Sequence, residues 1–162
     1  MTKIKKGTLA YVFSDNKVLL GTKKYGNAKG KLNGFGGKIE ETDKNIYEAV
    51  KREVYEETNL KITDPPLHGV LIFNHKNKRE KNVVYIFKIK NFKGRIKESD
   101  EMSVQWVEVG SIPRNKMWDS DKYWFDYILE DRKFEIELVF NSEDSLCDEL
   151  HIKFVNNINK FL

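Results

Sequence analysis

Residues 4–13 and 17–23 are rich in apolar and β-branched side chains. Between them lies Ser14-Asp15-Asn16, a cluster of turn formers, so the chain opens on two strands. The period then changes. Ile46, Ala49, Val50 and Val54 fall on one stripe of a helix over 45–58, with Thr42 or Asp43 as candidate N-caps and Asn59 suited to a left-handed C-cap. Pro65-Pro66 ends that pattern and leads into a strand over 67–74. A second strand over 83–89 pairs back across the Asn77/Lys78 turn, and a third covers 102–109. Trp124 with Ile128, and Phe125 with Leu129, give i, i+4 spacing for a helix over 120–130. Strands 134–140 and 150–155 close the pattern as a hairpin. The expected fold class is α+β, a mixed sheet between helices, in one domain spanning 1–162.

Composition narrows the range of functions. With 162 residues and a net charge of +4, acidic residues nearly match basic ones. That balance argues against a dedicated nucleic-acid surface, although local lysines can attract polyphosphates. The expected partner is a small molecule, with no stable nucleic acid or membrane partner, and the chain is expected to be a monomer. A single cysteine, Cys147, excludes an internal disulfide and suits a reducing, cytoplasmic setting. With no histidine paired to it, Cys147 reads as a small packed side chain, not a nucleophile. Lys3, Lys5 and Lys6 precede only a short apolar stretch, which does not make a signal peptide, and no apolar run is long enough to span a membrane.

The chemistry concentrates between Gly37 and Leu60. Arg52-Glu53-Val54-Tyr55-Glu56-Glu57 places three carboxylates at i, i+3 and i+4, about 5–6 Å apart at their β-carbons on one helical face. Folding alone gives no reason to mass like charges there, whereas a divalent cation does. Magnesium prefers hard oxygen ligands and is commonly held by a few carboxylates together with substrate phosphates. Upstream, Asn33-Gly34-Phe35-Gly36-Gly37-Lys38 supplies glycines where backbone can approach a metal or phosphate closely. A charged helical run by itself is usually a solvated face. The glycines at a fixed distance before this one, and the apolar stripe behind it, set it apart.

These residues resemble the Nudix hydrolase box, Gly-x5-Glu-x7-Arg-Glu-U-x-Glu-Glu-x-Gly-U with U aliphatic. Gly37, Arg52, Glu53, Val54, Glu56, Glu57 and Leu60 match it. Asp43 stands at the first Glu counted from Gly37, but counting back from Arg52 reaches Lys44, so the chain carries one extra residue there. Asn59 replaces the late glycine. The resemblance implies a sheet sandwiched between helices and metal-dependent hydrolysis of a phosphoanhydride. Magnesium would be the cofactor, with manganese as a substitute. The implied metal ligands are Glu53, Glu56, Glu57, the Gly36 carbonyl and Glu101. Glu56 or Glu57 would act as general base. Arg52 would orient a box glutamate through a fork-shaped ion pair.

Outside the box, Gly34-Phe35-Gly36-Gly37-Lys38, Ser99-Asp100-Glu101-Met102, Val104-Gln105-Trp106 and Met117-Trp118 through Tyr123-Trp124-Phe125 resemble one branch of that family, the oxidised purine nucleoside triphosphatases. By this resemblance Trp118 stacks on the base, while Trp106 and Trp124 read as core packing. Asn33 offers a donor and an acceptor to a purine edge, and Asp121 supplies a carboxyl group. Thr8, Lys23, Phe35, Gly36, Gly37 and Lys38 complete the substrate set with Asp119 and Ser120. Here the chain departs from the branch: Ser120 stands where the first of two adjacent aspartates is expected, Asp119 where a proline is expected, and Asn27 replaces an aromatic. The implied activity is magnesium-dependent conversion of an oxidised purine nucleoside triphosphate such as 8-oxo-dGTP to monophosphate and pyrophosphate, cleansing the nucleotide pool. Two alternatives stay open: a Nudix hydrolase acting on a nucleotide sugar or RNA cap, and a non-catalytic nucleotide- or RNA-binding module.

Overall fold

The computed structural model describes residues 1–162. Two strands open the chain, β1 (Lys3–Ser14) and β2 (Lys17–Lys23), joined by a tight turn with Asp15 in the left-handed region. A two-residue strand β3 (Leu32–Asn33) leads through the glycine segment to helix α1 (Ile46–Thr58). Then follow β4 (Lys61–Ile62), β5 (Leu67–His75), β6 (Glu80–Ile89), β7 (Phe92–Lys93) and β8 (Met102–Glu108). Short 3₁₀ turns occupy Val109–Ser111, Arg114–Lys116 and Asp119–Tyr123 before helix α2 (Phe125–Leu129). Strands β9 (Phe134–Phe140) and β10 (Glu149–Phe154) form the terminal antiparallel hairpin.

The main sheet is mixed, as expected. Its order is β10-β9-β5-β6-β1-β2-β3, with β8 also on β2; β1 runs parallel to β6 and β5 parallel to β9. Each face carries its own apolar layer. On one face Ala10, Val12, Phe35, Tyr85 and Phe87 pack against Val50 and Val54 of α1. On the other, Tyr11, Leu20, Leu71 and Phe134 pack against Trp124, Phe125 and Ile128 around α2. The alternation along β1 assigns successive residues to opposite layers. No helix is long and apolar enough to cross a membrane.

Two local expectations need correction. Neither Thr42 nor Asp43 caps α1: the Asn45 side chain accepts from Tyr47 N–H at 3.0 Å and Glu48 N–H at 2.9 Å. At the other end Asn59 takes φ of 68°, and its N–H donates to the Tyr55 carbonyl, so it does serve as the left-handed cap. The helix expected over 120–130 is broken. The Asp121 carboxylate draws the Trp118 N–H into a 3₁₀ turn, and Trp124, with φ of −144°, separates that turn from α2.

The feature that creates a site is a change of neighbours along β2. Near the opening turn, Val12–Ser14 pair with Lys17–Leu19. Beyond that β1 and β2 diverge, and β2 pairs with β3 through Gly21–Asn33 and Thr22–Leu32. The glycine segment fills the gap, bridging back to β1 at Ala10–Phe35 and Gly7–Lys38.

Candidate active site

The glycines of this segment are there for close approach, since none of the three has a positive φ. A β-carbon on Gly36 would lie 1.9 Å from the Thr8 carbonyl oxygen, and one on Gly34 would lie 2.4 Å from that of Ala10. On Gly37 it would strike the Glu53 carboxylate at 2.6 Å. Absence of side chains therefore lets the segment lie between β1 and α1. The Phe35 and Gly37 carbonyls accept from Ala10 and Thr8 N–H groups, whereas the Gly36 carbonyl accepts from no backbone N–H. The Gly36 N–H donates to Glu57 Oε1 at 2.9 Å. The Gly36 N–H thus ties the loop to the Glu57 side chain and leaves the Gly36 carbonyl free beside it.

Arg52 organises the carboxylates, but its fork falls on Asp43, not on a glutamate. Nε and Nη2 donate to the two Asp43 oxygens, each at 2.9 Å. Nη1 reaches Glu53 at 3.0 Å and Glu56 at 3.3 Å, and Nη2 also meets the Lys38 carbonyl. The Arg52 guanidinium holds the Asp43 carboxyl below its ordinary range. The extra residue is thereby absorbed in the loop: Asp43 performs the anchoring, and the helix begins afterwards at its own Asn45 cap.

Glu57 is the electrostatic centre. Burial, then the charges of Glu53 and Glu101, push its carboxyl up to about 8, against the Gly36 hydrogen bond and Lys23, which pull it down. Burial also raises Glu53. These groups supply hard oxygen donors that resist sharing one place without a cation, which fits a divalent ion in donor chemistry. No three acidic or histidine side chains converge on a single point as they would around a bound ion.

A cavity of about 510 Å³ runs from this cluster along the gap between the diverging strands. At one end stand Gly36, Gly37, Glu57 and Lys23; at the other, Asn33, Trp118, Ser120, Asp121 and Trp124. Thr8 also lines it, only 3% exposed, and its hydroxyl has no hydrogen-bond partner. The Trp118 ring is exposed, with Lys31 Nζ 5.7 Å from its centroid. Burial pushes the Asp121 carboxyl up to about 7, opposed by the Trp118 N–H and Lys31. Trp124 is core, as expected, but its indole N–H has no partner and it also walls the cavity. Trp106 packs near Phe92 in the α1 layer.

Some expected contacts are not brought to the cavity. Phe35 is fully buried in the core beneath α1, because β-alternation turns it away from the cleft. Lys38 is exposed, and Asp119 lines not this cavity but the neighbouring one with Arg114 and Lys122, on the other side of Trp118 and Asp121. Asn33 does not offer an acceptor: its Oδ1 already receives the Tyr11 hydroxyl at 2.9 Å and the Gly34 N–H at 2.8 Å. Tyr11 and Lys31 carry no sequence signal of their own. One reads as an apolar strand residue and the other as a surface lysine.

The box helix, the glycine loop and the split sheet together define a member of a known family. A NUDIX domain matches residues 3–128, and the chain belongs to that family, whose hydrolases generally use divalent metal ions. The chain is 37% identical over 141 residues to "Oxidized purine nucleoside triphosphate hydrolase" from Danio rerio, covering 87% of this chain and 90% of that protein. The mouse protein of the same name is 36% identical over 139 residues, covering 86% and 88%. Among solved structures, the mutator MutT protein from Bacillus halodurans superposes with a TM-score of 0.76 at 24% identity, covering 91% of this chain and 97% of that one, which speaks to fold.

Proposed function

We propose that the chain, as one Nudix unit over residues 1–162, hydrolyses an oxidised purine nucleoside triphosphate such as 8-oxo-dGTP to monophosphate and pyrophosphate, with magnesium as its ion. The observation that carries this reading is the single cavity with a carboxylate end and an aromatic, amide-lined end. One ligand can present a polyphosphate to the first and a purine to the second. The names of the fish and mouse relatives support the same substrate class.

Glu53, Glu56, Glu57, Glu101 and the free Gly36 carbonyl are the groups to hold the ion. When bound, a divalent cation neutralises the polyphosphate and activates the anhydride toward water. Water adds to one phosphorus, the bridging P–O bond breaks, and a proton passes to Glu56 or Glu57 as general base. Arg52 touches these carboxylates rather than the ligand, so its role is positioning. Lys23, at the cavity wall, suits a phosphate oxygen. Trp118 supplies a stacking face, while Asn33, Asp121 and Ser120 meet the polar edge of the base. The single Cys147 is compatible with a cytoplasmic setting for nucleotide-pool cleansing.

A panel of nucleotides assayed with magnesium, with manganese, and with chelator tests this. The expected result is cation-dependent release of pyrophosphate with 8-oxo-dGTP preferred over dGTP. Equal use of the two defeats the substrate assignment, and turnover of a nucleotide sugar or capped RNA instead redirects it. Binding without cation-dependent turnover supports a non-catalytic module.

A further inference from the structure

We propose that Tyr11 is a positioning residue that makes Asn33 a donor-only contact, so that the cleft selects a purine edge bearing an acceptor at that place. The inference rests on the nucleotide reading above and extends it to a residue outside the cavity wall. Tyr11 is fully buried on β1, its ring 6.0 Å from that of Trp124 and 5.1 Å from that of Phe125. Its hydroxyl meets Asn33 Oδ1 at 2.9 Å, and the same oxygen accepts from the Gly34 N–H at 2.8 Å.

The assignment of the amide follows from these partners. A backbone N–H can only donate, so the atom facing Gly34 is the amide oxygen. An amide oxygen has two lone pairs, and the Tyr11 hydroxyl, buried and held in its protonated form, occupies the second. The acceptor capacity of Asn33 is then used within the protein. Its NH₂ group has no partner in the protein, and Asn33 lines the cavity. The nearby indole N–H of Trp124, likewise without a partner, is also a donor. A ligand atom with lone pairs satisfies these groups, whereas an exocyclic amino group facing Asn33 brings donor against donor. A site that leaves buried polar groups unpaired by the wrong ligand discriminates strongly.

Gly34 supports the arrangement sterically. A β-carbon there would lie 3.1 Å from the Tyr11 ring and 2.4 Å from the Ala10 carbonyl. Ring, amide and loop backbone are therefore fixed in one place, which limits the freedom of Asn33 to rotate and accept.

The test is Tyr11→Phe, which keeps the ring packing and removes only the hydroxyl, with Tyr11→Leu as a second variant lacking it. Dissociation constants for dIMP, dGMP and dAMP are measured by calorimetry without metal. The dGMP-to-dIMP ratio reports the 2-amino group, and the dAMP-to-dIMP ratio reports the exchange of a 6-keto for a 6-amino group. The expected result is that at least one ratio moves toward unity by twofold or more in both variants. Equal weakening of all three ligands, or ratios within twofold of the wild type, overturns the proposal in favour of a purely structural tyrosine. A wild-type protein that binds none of the three, and does not bind 8-oxo-dGMP measured beside them, overturns the nucleotide reading itself, a different outcome from unchanged ratios.

Discussion

The two ends of the cleft are built in different ways. The carboxylate end comes mostly from one stretch, the glycine segment and α1: Arg52 bonds Asp43, Glu53 and Glu56, Glu57 accepts from the Gly36 N–H, and only Lys23 and Glu101 come from elsewhere. The aromatic end draws Tyr11 from β1, Asn33 from β3 and Trp118 and Asp121 from a 3₁₀ turn far along the chain. A helix guarantees i, i+3 and i+4 neighbours wherever it occurs. The second end exists only because the sheet divides. On the proposed reading, cutting chemistry is held mostly within one segment, while base choice depends on distant elements meeting.

The sharpest way to break this comparison is to remove a carboxylate. Glu57→Gln is expected to lower kcat by more than about 100-fold, since even partners outside a metal's ligands typically cost about 10–100-fold. Binding of a nucleoside monophosphate should stay within a few-fold. Parallel loss of both would show that the two ends are not separable. Asp43→Asn should have the next largest effect. It frees Arg52 from its fork and lowers kcat by about 10-fold or more, with KM for the nucleotide little changed in steady-state assays.

Trp118→Ala attacks the other end. Stacking of a base on an aromatic ring is worth about 1–3 kcal/mol, so KM should rise by roughly 10-fold while kcat at saturation holds. A fall in kcat alone would remove Trp118 from base binding. The smallest effect is on stability. The Asp121 carboxyl lies at about 7 in the folded chain, above its ordinary 3.8, so the folded state retains a proton that the unfolded state releases. Its stabilising contribution is complete at low pH and is lost as pH rises from about 4 to about 7. The Tm of the wild type should fall relative to Asp121→Asn across that window and then level off. A constant difference across pH would show that Asp121 titrates normally.

The same contrast explains what could be read from the amino-acid sequence. The strands, the glutamate helix with its Asn59 cap, and the terminal hairpin follow from period and turn chemistry. Trp118, Asn33 and Asp121 were reachable only through resemblance, because no spacing links β3 to the 3₁₀ turn. The helix expected over 120–130 divides because the Asp121 side chain bonds locally to the Trp118 backbone, a competition that apolar spacing does not register. Asp43 looked displaced by one position, yet loop slack lets its carboxylate reach Arg52. Phe35 sits in a substrate-like motif but obeys sheet alternation and turns into the core.

The exchange of partners along β2 has a dynamic consequence. The junction of β1 with the glycine loop is stitched by the amides of Thr8, Ala10 and Phe35, all bonded backbone to backbone. Those amides belong to buried residues and should exchange with solvent only through large-scale opening. The slot between the diverging strands then has a width fixed by main chain, which side-chain replacement leaves alone except at Gly34 and Gly36. Evolution can retune Ser120 or Lys31 on the cavity wall, altering which ligand enters, without loosening the frame beside the carboxylates.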